Sequence, residues 1–206
     1  MRATLLLIVA TLIVAGAVAI WWTTRGPDPS QFAHLREPRL TRMDDQRMLI
    51  VEATGDPKFV SGSAFKLLFS SYYKLAGVSR SGRPPAPRGR WRLSLATPRD
   101  QWVGQYALPV PQSAVTPAAE STSTMRTSIA TWAYGDVAEI LHVGPYSSEE
   151  PDINRLREFI DAQGYRVVGE HEEEYVKGPG MMFTGDPDKY LTIIRVRVEK
   201  VAGASD

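Results

Sequence analysis

Two short stretches of the chain decide the fold. Residues 137–146 read Val-Ala-Glu-Ile-Leu-His-Val-Gly-Pro-Tyr, and residues 173–179 read Glu-Glu-Tyr-Val-Lys-Gly-Pro. The first stretch is a predominantly apolar run that ends at a Gly-Pro pair, which is typical of a strand followed by a turn. Residues 147–163 have the length and the apolar spacing of a helix. The sequence therefore predicts a strand, a helix and a second strand in this part of the chain.

The second stretch carries the main candidate for a functional site. Side chains alternate along a strand, so Glu173 and Tyr175 share one face. A carboxylate and an aromatic ring that project together can hold a cationic or polar aromatic molecule. The run Glu172 to Glu174 is also typical of a solvated acidic strand. In an internal strand, however, alternation turns at least one of these acids toward a covered face, and we expect this to be Glu173.

The same order of elements occurs twice. In the first copy a strand precedes Gly55, and a helix follows with Phe65, Leu68, Phe69 and Tyr72 at helical spacing. In the second copy the strand precedes Gly144, 89 positions later, and Ser147 with Glu150 forms a predicted capping box. Each helix is followed by two predicted strands, at 91–97 and 102–110 in the first copy and at 165–176 and 190–199 in the second.

This repetition predicts an α+β domain made of a tandem β-α-β-β repeat. We expect the domain to span residues 40–200, with halves at 40–110 and 128–200 and a Ser/Thr/Ala/Pro-rich connection between them. The strand at 129–143 is expected to kink at Gly135. Clefts between similar halves are preferred ligand sites, so a central groove is the expected binding site.

Four further aromatic residues are candidates for the wall of that groove. They are Trp102, Tyr106, Trp132 and Tyr134, which lie at even spacing on their predicted strands. Packing in the core is the alternative for all four. Among the charged residues nearby, Glu139 is expected on an exposed edge face, and Arg88 and Arg90 in a solvated loop.

The N-terminus differs from the rest of the chain. The segment from Leu5 to Trp22 is almost wholly apolar, and its length is just sufficient for a helix that crosses a bilayer. We expect residues 1–24 to form a transmembrane anchor, 25–39 a juxtamembrane linker and 201–206 a C-terminal tail. A cleaved signal peptide is the alternative, because Ala17-Val18-Ala19 resembles a cleavage site. The charges flanking the segment favour a domain on the non-cytoplasmic side.

The composition excludes several kinds of chemistry. The 206 residues contain no cysteine, so disulfides, thiol nucleophiles and thiolate metal ligands are ruled out. The net charge of +1 gives no large field that would attract nucleic acid. The three histidines lack the spacing of a metal site, and no phosphate-binding or dinucleotide-binding motif occurs. We therefore expect neither a metal nor a cofactor.

The motifs resemble the gyrase-inhibitor-like (GyrI-like) family of small-molecule-binding domains. The resemblance rests on Gly135-Asp136-Val137-Ala138, on residues 142–146, on Glu173-x-Tyr175 and on Gly178-Pro179. It implies a tandem repeat with a central groove, in which Glu173 corresponds to the family's strand acid and Tyr175 to its partner aromatic. The family includes effector-binding domains of AraC-type and MerR-type regulators, and some stand-alone members hydrolyse strained cyclopropane-containing compounds. No helix-turn-helix segment is evident, so no nucleic-acid partner is expected.

Together these features predict a membrane-anchored domain that binds a small lipophilic or cationic molecule. Two alternatives stay open from the sequence. One is a hydrolase that uses Glu173 to activate water or to protonate a leaving group. The other is an anchored adaptor that binds a protein. A haem-binding role, suggested by a related duplicated fold, is the least favoured.

Overall fold

The computed structural model describes residues 27–80, 84–91, 98–115, 124–179 and 185–202. Two α-helices, one in each half, lie within these ranges: α1 is Pro57–Tyr72 and α2 is Glu150–Ala162. The strands are β1 (Arg39–Met43), β2 (Gln46–Thr54), β3 (Arg88–Trp91), β4 (Val103–Pro109), β5 (Met125–Trp132), β6 (Gly135–Val143), β7 (Tyr165–Val167), β8 (His171–Lys177) and β9 (Leu191–Lys200).

The strands form one antiparallel sheet in the order β1-β6-β9-β8-β3-β4-β2-β5, with β7 beside the end of β9. The first half contributes β2, β3 and β4, and the second contributes β6, β8 and β9. The halves meet in the middle of the sheet, where β3 pairs with β8 and Gly89 lies opposite Glu173. The predicted α+β tandem architecture is therefore present.

The two ends of the sheet are joined by a pair of long, bent strands. Only two residues separate β1 from β2, and only two separate β5 from β6. The pairing runs without a register shift from Arg39 opposite Glu139 to Ala53 opposite Met125. Because β1 and β6 lie at one end of the strand order and β2 and β5 at the other, these bent strands close the sheet on itself. Gly135 has a positive φ of 77° at the predicted kink.

Both helices pack on the same face of this sheet. Leu68 and Tyr72 of α1 are buried with Leu49 and Val51 of β2. Leu156 and Ile160 of α2 are buried with Ile140 and Ile194. Across the paired strands, Ile140 and Ile194 are aligned with Val51, so the three side chains point to the same face of the sheet. The opposite face holds a smaller apolar cluster around Met48, Ile50 and Trp132. We call these two surfaces the helix face and the inner face.

The helix starts have local causes, and one of them differs from the prediction. Asp56 accepts a hydrogen bond from Lys58 N at 2.9 Å and caps α1. The predicted capping box at Ser147 and Glu150 is wrong. The chain forms a short 3-10 turn there, and α2 begins at Glu150 with Glu149 at the N-cap and no side-chain cap bond.

The duplication is confirmed at the turns that lead into the helices. Gly55 has a φ of 136° and Gly144 a φ of 142°. Residues other than glycine rarely adopt this region. Gly55 follows β2 and precedes α1, and Gly144 follows β6 and precedes the short 3-10 turn that leads into α2. Gly164, with φ 72°, ends α2 where the sequence predicted.

Two predicted strands have different bounds in the structure. The stretch 165–176 divides into β7 and β8, because the N–H groups of Val168 and Gly169 turn to the carbonyl of Arg197. The strand β3 begins at Arg88, before the predicted start at residue 91, and the remaining part of that prediction, 92–97, lies outside the described residues.

The stretch predicted as a linker contains an ordered element. A 3-10 helix, Pro29–Leu35, packs Leu35 against Leu141, Leu191 and Ile193. The predicted anchor lies within residues 1–26, outside the described residues. Among the residues that the structure describes, no helix has the length and apolar character needed to cross a membrane.

Candidate functional site

The site is built around the carboxylate of Glu173 on the helix face. Tyr175 Oη donates a hydrogen bond to Glu173 Oε2 at 2.7 Å, and His171 Nε2 donates to Oε1 at 2.9 Å. All three residues come from β8 at a spacing of two, so strand geometry alone brings them together. Burial and the charge of Glu173 raise the pKa of Tyr175 well above its ordinary value, so the phenol keeps its proton.

Two glycines make room for aromatic rings beside this carboxylate. Gly89 lies directly between Tyr106 and Glu173 across three strands. A Cβ atom at Gly89 would stand 2.9 Å from Tyr175 Oη, so the hydroxyl occupies the space that glycine leaves. A Cβ atom at Gly104 would meet the indole of Trp91 at 2.5 Å. The rings therefore lie across the sheet surface because these two positions lack side chains.

The rings around Glu173 form a continuous aromatic cluster. Tyr175 contacts Phe65 of α1 with ring centroids 5.6 Å apart and Tyr146 with centroids 5.5 Å apart, both edge to face. The cluster consists of Phe65, Trp91, Tyr106, Tyr146, Tyr175 and Tyr190. Tyr106 also shares a 2.7 Å hydrogen bond with Ser61 of α1. Residues from both halves thus surround one carboxylate.

A second acid, Glu149, lies near Glu173. It is 6% exposed at the start of α2, and its Oε1 has no hydrogen-bond partner among the described residues. The hydroxyl of Thr192 lies beside it but also lacks a partner with hydrogen-bond geometry in the described part of the chain. Burial and the charge of Glu173 raise the pKa of Glu149 to about 8, so it is mostly protonated at neutral pH.

A cavity of about 530 Å³ opens next to these groups. It lies between α2 and the sheet, and its walls include Ile153, Leu156 and Ile160 of α2 together with Ile194 of β9. Trp91 and His171 also line it, and His171 is bonded to Glu173. The charged residues Arg157 and Glu170 also line it. A cavity of this volume has the dimensions of a small-molecule site.

Trp132 and Tyr134, two of the predicted groove aromatics, lie on the inner face instead. The guanidinium of Arg90 stacks on Trp132 at 3.9 Å from the ring centroid. Tyr134 Oη donates to Glu172 Oε1 at 3.0 Å and accepts from Arg88 Nη1 at 2.7 Å. The structure therefore brings Tyr106 and Tyr175 to Glu173 but does not bring Trp132 or Tyr134 there.

Trp102 is half-buried and lies just outside the strand on which it was predicted. Its carbonyl accepts a hydrogen bond from Gly55 N at 2.9 Å, in the turn that leads into α1. Trp102 lies four positions before Tyr106, which corresponds to about 13 Å along an extended strand.

The inner face carries a buried network of arginines and glutamates. Glu139 accepts hydrogen bonds from Arg195 at 2.8 and 2.9 Å and from Arg39 at 2.6 and 2.9 Å. Burial alone would raise the pKa of Glu139, but the two guanidinium groups hold it below its ordinary value. Arg195 continues to Glu172 at 3.0 Å and to Glu174 at 3.2 Å.

This network corrects three expectations from the sequence. Glu139 is 3% exposed and is not on an exposed edge face. Arg88 and Arg90 belong to β3 and pair with Glu174 at 3.2 Å and Glu172 at 2.8 Å, so they are not in a solvated loop. The physical reason is pairing between distant strands, which the local composition around these residues does not reveal.

The sequence reading missed Glu149, Gly89 and Trp91. Glu149 was hidden by the misplaced helix start, although the Glu-Glu-Pro run at 149–151 is compatible with a proline in the first turn. His171 was noted only as lacking metal spacing. Within the described ranges, no group of three or more His, Asp or Glu side chains is arranged to hold a metal ion.

Comparisons with known proteins relate the chain to solved structures. No family model and no curated protein matches the sequence. A protein described as a hydrolase from Listeria innocua superposes with a TM-score of 0.64 at 22% identity, covering 82% of this chain and 95% of that one. The EcmrR C-terminal domain superposes with a TM-score of 0.56 at 13% identity, covering 80% and 98%. These likenesses show that the chain shares the fold of these solved structures, in agreement with the tandem architecture that the resemblance to the GyrI-like family implies.

Proposed function

We propose that this domain binds a small lipophilic cation, with the positive group at Glu173 and the apolar part in the adjacent cavity. The observation that carries the proposal is the difference between Glu173 and the other sheet glutamates. Glu139, Glu172 and Glu174 each pair with arginines on the inner face. Among the described residues, the only basic side chain within ion-pair distance of Glu173 is His171.

A cation would complete the coordination of this carboxylate. The side chain of Glu173 is 14% exposed. It is therefore partly removed from water without the full charge compensation that a buried carboxylate needs. An ammonium group would add a charge-assisted hydrogen bond, which is stronger than the bond from a neutral phenol. The faces of Tyr146 and Tyr175 would add cation–π attraction.

The cavity supports the lipophilic part of the proposal. Its volume is about 530 Å³, and five aliphatic side chains of α2 and β9 line it together with Trp91, while Arg157 and Glu170 add charge to the wall. A space of this size accommodates a bicyclic aromatic group. The EcmrR C-terminal domain and the Listeria hydrolase share this fold, which makes a groove function reasonable for this chain.

Thermal-shift screening tests the proposal. The panel should contain bicyclic aromatic cations with their neutral and anionic counterparts of matched shape. We expect stabilisation by the cations, weaker stabilisation by the neutral compounds and none by the anions. A panel in which no cation raises the Tm, or in which anions stabilise equally, would overturn the proposal.

Hydrolysis is the second candidate function. The favouring observation is that two acids with different surroundings lie near each other: Glu173 accepts hydrogen bonds from Tyr175 and His171, while burial and the charge of Glu173 raise the pKa of Glu149 to about 8. Such a pair meets the requirement for a base that activates water and an acid that protonates a leaving group. Turnover of a strained electrophile that disappears in Glu173→Gln but leaves a binding signal intact would establish this activity.

We also propose that Leu5–Trp22 anchors the domain in a membrane, with the domain on the non-cytoplasmic side. The support is the apolar length of the segment and the tryptophan pair at its end. Carbonate extraction of membranes from cells that express the full chain tests this. A protein released into the soluble fraction, with an N-terminus at or after Ile20, would show a cleaved signal instead.

A further inference from the structure

We propose that Glu149 is a second ligand-facing acid of the groove, which makes the site selective for ligands with two cationic centres over ligands with one. This inference rests on the proposed binding function at Glu173 and adds a charge requirement to it. Binding at Glu173 and Tyr175 leaves the Glu149 side chain without a role, although it lies beside both.

The first argument is the state of the Glu149 carboxyl group. It is buried, yet Oε1 reaches no hydrogen-bond partner among the described residues. A buried polar atom without a partner costs free energy, so such atoms in native proteins call for an explanation. The buried Thr192 hydroxyl lies beside the carboxyl group and lowers the pKa of Glu149, but it makes no hydrogen bond of normal geometry to Oε1. The unpaired Oε1 atom is consistent with a donor group supplied by a ligand.

The second argument is the position of Glu149 relative to Glu173. The two acids act electrostatically on each other and on the same two phenols, those of Tyr146 and Tyr175. The aromatic pair is therefore flanked by acids from two elements, Glu173 from β8 and Glu149 from the start of α2. A flat aromatic ligand against these rings could direct one ammonium group to each acid.

The third argument is the charge environment. The other titratable groups around Glu149 are Asp152 on α2, His142 on β6, which bonds to Asp152 at 2.9 Å, and Tyr190 beside Tyr146. Among the described residues, no arginine or lysine forms an ion pair with Glu149, whereas the inner-face acids have theirs. Burial and the charge of Glu173 keep Glu149 protonated at neutral pH by raising its pKa, and a nearby ammonium would favour its ionisation.

Binding of a dication should therefore release a proton from the protein. In the empty groove at pH 7 the Glu149 carboxyl holds its proton. When the second ammonium arrives, the O–H bond ionises, the proton leaves to the buffer and the carboxylate remains paired with the ligand. A monocation that engages only Glu173 leaves the proton on Glu149.

The test uses two probes with one naphthalene core, 2-(aminomethyl)naphthalene and 2,6-bis(aminomethyl)naphthalene. Calorimetric titration at pH 7, in buffers with different ionisation enthalpies, measures affinity and proton release together. We expect the diamine to bind about tenfold more tightly than the monoamine, as one added charge-assisted contact would give, and to release close to one proton while the monoamine releases none.

Variants separate the two acids. Glu149→Gln should reduce the diamine preference to about threefold or less, near the statistical advantage of two equivalent ends, and should remove the proton release. Glu150→Gln, the same change at the exposed next position, should behave like the wild type. Glu173→Gln should weaken both probes.

The outcomes distinguish the inference from the function on which it rests. If the monoamine binds in a Glu173-dependent way but the diamine binds no better and releases no proton, the inference is wrong and the proposed function stands. If Glu173→Gln leaves both probes unaffected, the proposed function itself fails. The proton measurement on the wild-type chain keeps the inference testable even if Glu149→Gln folds poorly.

Discussion

At the scale of residues, three consecutive glutamates of β8 have different environments because strand side chains alternate. Glu172 and Glu174 face inward, where Arg88, Arg90 and Arg195 neutralise them. Glu173 faces the helices, where its hydrogen-bond donors are Tyr175 and His171. Glu172 therefore stabilises the fold, and Glu173 is the acid that the proposed function assigns to a ligand.

This difference predicts that stability is more sensitive to a change at Glu172 than to the same change at Glu173. Glu172→Gln removes the carboxylate that pairs with Arg90 and one of the three carboxylates that pair with Arg195 in a buried setting, so the free energy of unfolding should fall by about 3 kcal/mol or more. Glu173→Gln disrupts hydrogen bonds from Tyr175 and His171 and should cost about 1 kcal/mol. Urea denaturation of both variants measures this, and equal losses would contradict the assignment of the two faces.

Gly89 is predicted to be needed for the site. In Gly89→Ala the new methyl group would stand 2.9 Å from Tyr175 Oη and push the phenol away from Glu173. Cation affinity should drop by about tenfold, which corresponds to the loss of one such contact. Gly62→Ala is the matched control, because nothing lies within 4 Å of a Cβ on this exposed helical glycine. That control should stabilise α1 by about 0.5–1 kcal/mol and leave binding unchanged.

The raised pKa of Glu149 predicts a specific pH dependence of stability. Between its ordinary pKa of 4.5 and its folded pKa of about 8, the unfolded chain has lost this proton while the folded chain keeps it. The contribution of Glu149 to stability therefore falls as pH rises through this window, by up to about 1.4 kcal/mol per pH unit. Glu149→Gln, which does not titrate, should gain stability relative to the wild type from pH 5 to pH 8. Chemical denaturation at several pH values checks this, and a constant difference between the two proteins would contradict it.

At the scale of elements, the parts of the fold set by local sequence were predictable and the pairings were not. Helical spacing located α1, and the two glycines before the helices revealed the duplication because positive φ is required there. The pairing of β1 with β6 joins residues about one hundred positions apart, and no local pattern encodes it. For this reason Glu139, opposite Arg39, was expected on an exposed edge.

The site was predictable to the same extent. The shared face of Glu173 and Tyr175 follows from the two-residue period of a strand and needs no knowledge of neighbours. The faces of Trp132 and Tyr134 depend on how the bent strand β5–β6 is placed in the closed sheet, so their even spacing could not assign them to the groove. The position of the Glu149 side chain depends on where α2 begins, and periodicity alone determines a helix boundary poorly.

The strand pairing predicts that the halves do not fold alone. A fragment of residues 128–200 would lose β1 from one side of β6 and β3 from one side of β8, which exposes two strand edges and leaves the acids of the inner face without Arg39, Arg88 and Arg90. We expect no cooperative thermal transition for this fragment by circular dichroism, while residues 27–202 melt in one step. A cooperative melt of the fragment similar to that of the longer chain would show that the halves are independent.

At the scale of the whole molecule, the two faces of the closed sheet carry different kinds of charged groups. Arginines and glutamates neutralise each other on the inner face and hold the strands in register. On the helix face, α1, α2 and the β3–β8 junction surround acids that have no arginine partner in the described part of the chain. In the binding mode that we propose, a cationic ligand would therefore meet the charge of Glu173 without disturbing the ion pairs that stabilise the fold.

Calorimetric titration of the wild type and Glu173→Gln with 2-(aminomethyl)naphthalene and its neutral counterpart 2-naphthalenemethanol tests the central claim most directly. Glu158→Gln, the same charge change on the exposed face of α2, is the control. We predict that Glu173→Gln weakens the amine by about tenfold or more, since about 1.4 kcal/mol is one decade in affinity, while the alcohol changes little and Glu158→Gln behaves like the wild type. Equal losses for amine and alcohol, or an amine affinity unchanged in Glu173→Gln, would contradict the account.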